Sequence, residues 1–234
     1  IFDRPRIYRF QKDASTLALT GFPFVRQGIR RNFLQQLNET GWRQADANVH
    51  VLCVHQAIDG ATVGPVGHIF RYAHDVIKIS DIPPEFTAVL SGHIHRFQVL
   101  TKNLNGKAIP APIFYPGSID RTSFAEKHEK KGYLILTLET DALKGSRLRQ
   151  WQFYELPTRP MVRMELHPSA MSAAQFRAWI QHKVEKLSPD SIVNLRIHGN
   201  IPTSAMEVLG AASLRSLVPP TMNINTSFKN SAKT

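Results

Sequence analysis

The stretch Thr87-Ala-Val-Leu-Ser-Gly-His-Ile-His-Arg-Phe97 decides the reading of this chain. It begins as a short β-forming apolar run, reaches Ser91-Gly92, and then delivers two imidazoles, His93 and His95, with one residue between them. An earlier run, Asn48-Val-His-Val-Leu-Cys-Val-His55, has the same form, too short for a helix and closed by a single histidine. Continuously apolar strands are those buried on both faces of a sheet. In an open α/β sheet, ligands gather outside the carboxyl ends of the strands. If these two strands are parallel neighbours, His55, His93 and His95 arrive at one place. Gly92 lets the backbone turn and come close there, and imidazole is a common ligand for Zn, Mn and Fe ions.

The other histidines have plainer contexts. His50, His128, His167, His182 and His198 read as surface or packed residues, while His68 and His74, in "GHIFRYAH", are candidates to line a cleft.

Residues 28–41 predict a helix with Ile29, Phe33, Leu34 and Leu37 on one face and Gly41 at its stop. Asn105-Gly106 predicts a type I′ hairpin between extended segments within 97–115. Residues 132–139 and 147–156 read as two antiparallel strands with a turn over 141–146. The two prolines of "LPTRP" (156–160) mark a boundary, so a first domain spans 1–157. A small α/β unit follows over 161–228, with a helix at 172–187 (Phe176, Ile180, Val184 and Leu187 on one face), a strand at 191–199, a second helix at 203–217 and a last strand at 221–228. Residues 229–234 form a tail expected to fray.

At 234 residues the chain is long enough to bury one large domain and a small companion. No apolar run approaches the roughly 20 residues of a membrane-spanning helix. Cys53 is the single cysteine, so no internal disulfide can form, and a reducing, cytoplasmic setting is expected. The formal net charge is +11. The excess is uneven: residues 1–50 carry eight basic and four acidic side chains, 101–150 carry nine and five, and 51–100, with the paired histidines, carry three and four. Basic surface flanking a reactive centre is the pattern for holding a polyanion.

"SGHIH", with a lone histidine ending an earlier apolar strand, resembles the last two motifs of the calcineurin-like metallophosphoesterases. The block Tyr115, Pro116, Gly117, Ser118, Arg121, Phe124, Glu126, Lys131 and Gly132 narrows the resemblance to the DNA-repair exonucleases typified by bacterial SbcD. That resemblance implies an α/β fold, a four-layer α/β sandwich followed by a small C-terminal α/β capping domain. It implies two divalent metal ions, manganese foremost, with His55 and His93 on one and His95 on the other. Two cations about 4 Å apart would hold the diester oxygens and acidify a bridging water. Arg96, Arg121, Lys127, Lys130 and Lys131 would hold DNA, each phosphate contact releasing counterions. A coiled-coil ATPase of the SbcC type and a second copy of the chain are the implied partners, and the nucleoid the implied place of work.

The family's earlier motifs, an Asp-x-His, a Gly-Asp-x-x-Asp and a Gly-Asn-His, do not occur; "HGNI" at 198–201 has the wrong order. Three imidazoles do not assemble a binuclear centre. The sequence therefore reads as the C-terminal part of a longer enzyme, weak in metal binding by itself and lacking the first strands of its sheet. Two alternatives stand beside the nuclease: a phosphoesterase for a smaller ester, and a catalytically inactive DNA-binding or scaffold module.

Overall fold

A computed structural model describes residues 2–141, 145–168 and 171–229. The chain divides into two compact units, Ile1–Pro157 and Thr158–Thr234.

In the first unit the elements run β1 (Arg6–Lys12), β2 (Ser15–Gly21), α1 (Ile29–Asn38), β3 (Val49–Val54), the short strands β4 (Ala57–Ile58), β5 (Thr62–Val63), β6 (His68–Ile69) and β7 (Val76–Ile77), then β8 (Ala88–Ser91), β9 (Gln98–Lys102), β10 (Ala108–Tyr115), β11 (Gly132–Asp141) and β12 (Gly145–Glu155). Six of them form one mixed sheet in the order β1-β2-β3-β8-β10-β9. Its centre is parallel: β3 lies between β2 and β8, with Leu52 beside Val89 and Val54 beside Ser91. Both outer pairs are antiparallel. β3 and β8 are apolar on both faces because both faces are covered.

One face of the sheet turns Leu52, Val54, Val89, Ile113 and Tyr115 toward the helix side, where Ile29, Phe33 and Leu37 of α1 complete the core with Phe22, Trp42 and Phe86. The spacing of Ile29, Phe33 and Leu37 is the helical i, i+4, i+8 row. Leu34, expected on the same face, is 49 % exposed; one residue past Phe33 rotates it about 100° off the row. On the other face, Phe114 meets Trp151 of β12 at 5.9 Å between ring centroids, and Phe97 stacks on Phe153 at 4.0 Å. The β11–β12 hairpin therefore forms a second layer there. Leu17, Leu19, Cys53 and Leu90 on that face stay half-buried.

The β9–β10 hairpin is present but its turn is not type I′. Of Asn105-Gly106 only Gly106 has positive φ, 77°. Gly106 N–H donates to the Asn103 carbonyl, and the Asn103 side chain accepts from Asn105 and Lys107 N–H. This is a three-residue loop with a left-handed glycine at its end, in which the asparagine cap replaces the second positive φ. Pro110 and Pro112 cannot donate to a ladder, and the β9–β10 register shifts between Ala108 and Ile113. The turn expected over 141–146 falls largely on 142–144, outside the described residues.

The second unit contains β13 (Met161–Leu166), α2 (Ala173–Val184), β14 (Ile192–His198), α3 (Thr203–Met206), α4 (Ala211–Ser216) and β15 (Asn223–Lys229). β13, β14 and β15 form a parallel sheet in that order. Ser172 caps α2 in a capping box with Gln175, and Phe176, Ile180 and Val184 bury against Val193, Leu195 and Ile197. The single helix expected over 203–217 is broken. Gly210, at φ −59° and ψ 140°, leaves the helical region and starts α4 by accepting from Leu214 N–H. Among the described residues no helix is long and apolar enough to cross a membrane.

Candidate metal and phosphodiester site

His55 and His93 leave the carboxyl ends of β3 and β8, which lie side by side, and their ring centroids are 5.6 Å apart. Both rings are exposed at the sheet's end. The backbone is tied together just below them. Gly92 N–H donates to the Val54 carbonyl at 3.0 Å. The Gln56 carbonyl accepts from Ser91 Oγ at 2.7 Å and from the Tyr115 hydroxyl at 3.1 Å. The Gln56 amide donates to the Val25 carbonyl. Two strands and the loop after β2 thus fix the residue that follows His55.

Two backbone features are specific to the histidines. An atom in the position of a Cβ on Gly92 would lie 2.5 Å from His55 Nδ1, so only glycine lets that ring lie flat against the β8 end. His93 has φ +75°, one of two non-glycine residues with positive φ among those described. That conformation costs on the order of 1–2 kcal/mol for a side-chain-bearing residue, and such strain concentrates at functional sites. Partial desolvation of the otherwise exposed ring, and next the neighbouring His55, push the His93 imidazolium down from its ordinary value, favouring the neutral ring. Phe24 stacks on His93 at 5.3 Å and meets His55 edge-on at 5.9 Å. Nothing in the sequence singled out Phe24.

His95 faces a different environment. Its Nδ1 lies 3.2 Å from Glu126 Oε1 and 3.1 Å from Thr122 Oγ1. Its carbonyl accepts from Lys131 Nζ at 2.8 Å and from Ser118 N–H. Gly117 makes that approach possible: its φ is +80°, and a Cβ there would meet the His95 carbonyl oxygen at 2.7 Å. The Lys131 ammonium ion-pairs with Glu126 at 2.6 Å and Glu129 at 3.3 Å. Burial by itself would raise the Glu126 carboxyl; hydrogen bonds from Lys131, Thr122 and His95 outweigh it and hold the group at about 2. An open hollow of about 220 Å³ has His93, His95, Arg96, Glu126 and Glu129 among its walls.

The cations expected to hold DNA divide sharply. Lys131 is only 1 % exposed and spent on two carboxylates, which corrects its assignment to a DNA-binding surface. A charge taken out of water needs such partners. Arg96 is half-buried, pairing with Glu129 at 3.0 Å and donating to the Gly64 carbonyl at 2.6 Å. Arg121 donates to the Glu129 carbonyl. Lys127 is half-buried and Lys130 exposed, the latter 2.8 Å from Glu155. Of the remaining histidines, His68 and His74 are exposed, and His198 bonds Glu165 while stacking on His167.

As a metal site, the two imidazoles of adjacent strand ends would supply two donors at most to one ion. Among the described residues no group of three or more His, Cys, Asp or Glu side chains gathers to hold a metal by itself, so carboxylate donors from elsewhere would have to complete it. No family model matches the chain, and no curated protein matches it.

Proposed function

We propose that residues 1–157 carry the histidine side of a two-metal phosphodiesterase acting on DNA, a double-strand-break repair exonuclease of the SbcD-like metallophosphoesterase type. The mixed sheet with a helix on one face and the β11–β12 hairpin on the other corresponds in this reading to part of the four-layer sandwich. The unit after Pro157 corresponds to the capping domain. His55 and His93 share one manganese ion and His95 serves the second, with carboxylate donors still needed to complete both. An SbcC-type ATPase and a second copy of the chain are the partners.

The observation that carries this reading is the convergence of His55 and His93, 5.6 Å apart, from two parallel strand ends, with His95 two residues further on. A buried structural histidine would not need a positive-φ backbone at His93 or a glycine cleared for His55. When bound, the ions would polarise the phosphodiester and lower the pKa of a bridging water. The protein's own part is to hold the imidazoles at fixed positions at the sheet's end, which the strained His93 and the Gly92 clearance do. Of the cations expected to hold DNA, Lys130 is the exposed one, although it lies 2.8 Å from Glu155.

The test is hydrolysis by the complete gene product with manganese. Linear double-stranded DNA should be degraded from its ends, and His55→Ala, His93→Ala and His95→Ala should each abolish this while leaving DNA affinity within a few-fold. Turnover of bis-p-nitrophenyl phosphate with indifference to DNA would assign a smaller ester instead. DNA binding without hydrolysis or retained metal would assign a scaffold.

A further inference from the structure

The corner behind His95 holds a group whose role is not explained by packing. Glu126 is nearly buried, yet its Oε1 accepts from Thr122 Oγ1 at 2.7 Å and Ser123 Oγ at 3.2 Å and lies 3.2 Å from His95 Nδ1. Its Oε2 takes the Lys131 ammonium at 2.6 Å. The geometry points to Glu126 as a positioning residue for His95: it accepts the Nδ1 proton, fixes the Nδ1–H tautomer, and leaves Nε2 as the lone-pair donor that the ring presents. The functional consequence rests on the reading of His95 as a ligand above; the tautomer assignment does not.

The hydrogen-bond count permits one arrangement. An ionised carboxylate only accepts. Thr122 has one hydroxyl proton, and its short contact with Glu126 uses it. Both groups facing Nδ1 are then acceptors, so Nδ1 must carry the proton whichever oxygen it favours. Glu126 is itself held. Lys131 grips its other oxygen and the His95 carbonyl together, so carboxylate and imidazole are registered to one buried ammonium. Ring, acceptor and counter-ion thus move as one body. Without this clamp the His95 ring, its side chain half exposed, would sample both tautomers and several rotamers. A carboxylate behind a ligating imidazole also raises ligand basicity, and losing such a partner costs metal affinity about 10- to 100-fold.

The experiment reads the imidazole nitrogens of the full chain by long-range ¹H–¹⁵N correlation, metal-free and above the histidine titration range, with His95→Gln assigning the signal. The wild type should show a protonated Nδ1 and a bare Nε2. Glu126→Leu removes the acceptor but strands Lys131, so it is made together with Lys131→Met; that pair should shift His95 toward the Nε2–H form. Glu126→Gln keeps its one carbonyl oxygen on the Lys131 ammonium and turns its amide NH2 toward Nδ1, so it should also shift His95 toward the Nε2–H form. A bare Nδ1 in the wild type, or an unchanged tautomer in the double variant, would overturn the assignment. Manganese titration of the same proteins separates the two layers. A 10- to 100-fold weaker affinity in the double variant supports the clamp's role in ligation. Affinity that is unchanged by His95→Ala would instead overturn the metal reading, with the tautomer result standing on its own.

Discussion

Two neighbouring regions handle polar chemistry in opposite ways. At the ends of β3 and β8, His55 and His93 are exposed, one held in a left-handed backbone and the other resting against a glycine, with Phe24 as their aromatic neighbour. Behind His95, an ammonium and two carboxylates are withdrawn from water and nearly saturated with hydrogen bonds. The first region retains strain and unspent donors. The second commits its charges to one another. Donors kept free at a strained backbone suit an incoming ligand, whereas a closed ion network suits a scaffold. The same comparison separates the lysines: sequence neighbours Lys130 and Lys131 are a surface charge and a core residue, respectively.

The largest effect is expected on the closed side. Lys131→Ala leaves Glu126 without its cation and Glu129 with Arg96 alone, and should cost about 3–5 kcal/mol in chemical denaturation. A loss near zero would mean that the network is not what holds the segment. Gly92→Ala comes next. Its Cβ would overlap the exposed His55 ring, which can turn away, so a loss of about 1 kcal/mol or less is expected, together with a displaced His55 resonance; an undisturbed ring would refute the close approach.

Acid should expose the closed region further. Glu126 titrates at about 2 in the folded chain against an ordinary 4.5, so its contribution is complete above about 4.5 and vanishes as pH falls toward 2. The stability gap between wild type and Glu126→Gln should therefore narrow across that interval and stay flat from pH 5 to 7. On the open side, His93→Gly relieves the positive φ while removing a ring from the surface, and its stability should lie within about 1 kcal/mol of wild type. A loss of several kcal/mol would make His93 a packing residue. The smallest change belongs to Lys130→Ala: negligible for stability, and a reduction of about 1 in the slope of log affinity for DNA against log salt.

Much of this comparison was readable in the sequence, and the parts that were not have physical causes. β3 and β8 announce themselves because strands covered on both faces are mostly apolar, and the histidines just past their ends stand out against that background. β1 went unread: it is an edge strand, exposed along most of its length, and its two-residue turn uses Asp13 at φ 52° with Ala14 rather than a glycine. Leu34 shows that an apolar residue within a helical pattern is not thereby on its buried face. The break between α3 and α4, where 207–209 tighten into a 3-10 turn and Gly210 turns extended, is one that periodicity alone passes over. Lys131 was misplaced because a run of charge gives no hint of which member turns inward. The signal available was local: Thr122, Glu126, Glu129 and Lys131 lie within ten residues, close enough to share one corner. Phe24 left no such trace, since its contact with the histidines comes through the β2–β3 pairing rather than through local spacing.

The claim most exposed to test is that His55 and His93 form one binding unit. Substoichiometric manganese added to the ¹⁵N-labelled chain broadens imidazole signals by paramagnetic relaxation and detects even weak binding. His55 and His93 should broaden first and together, and His93→Ala should protect His55. Broadening of one without the other, or of His182 as early as either, would contradict the account.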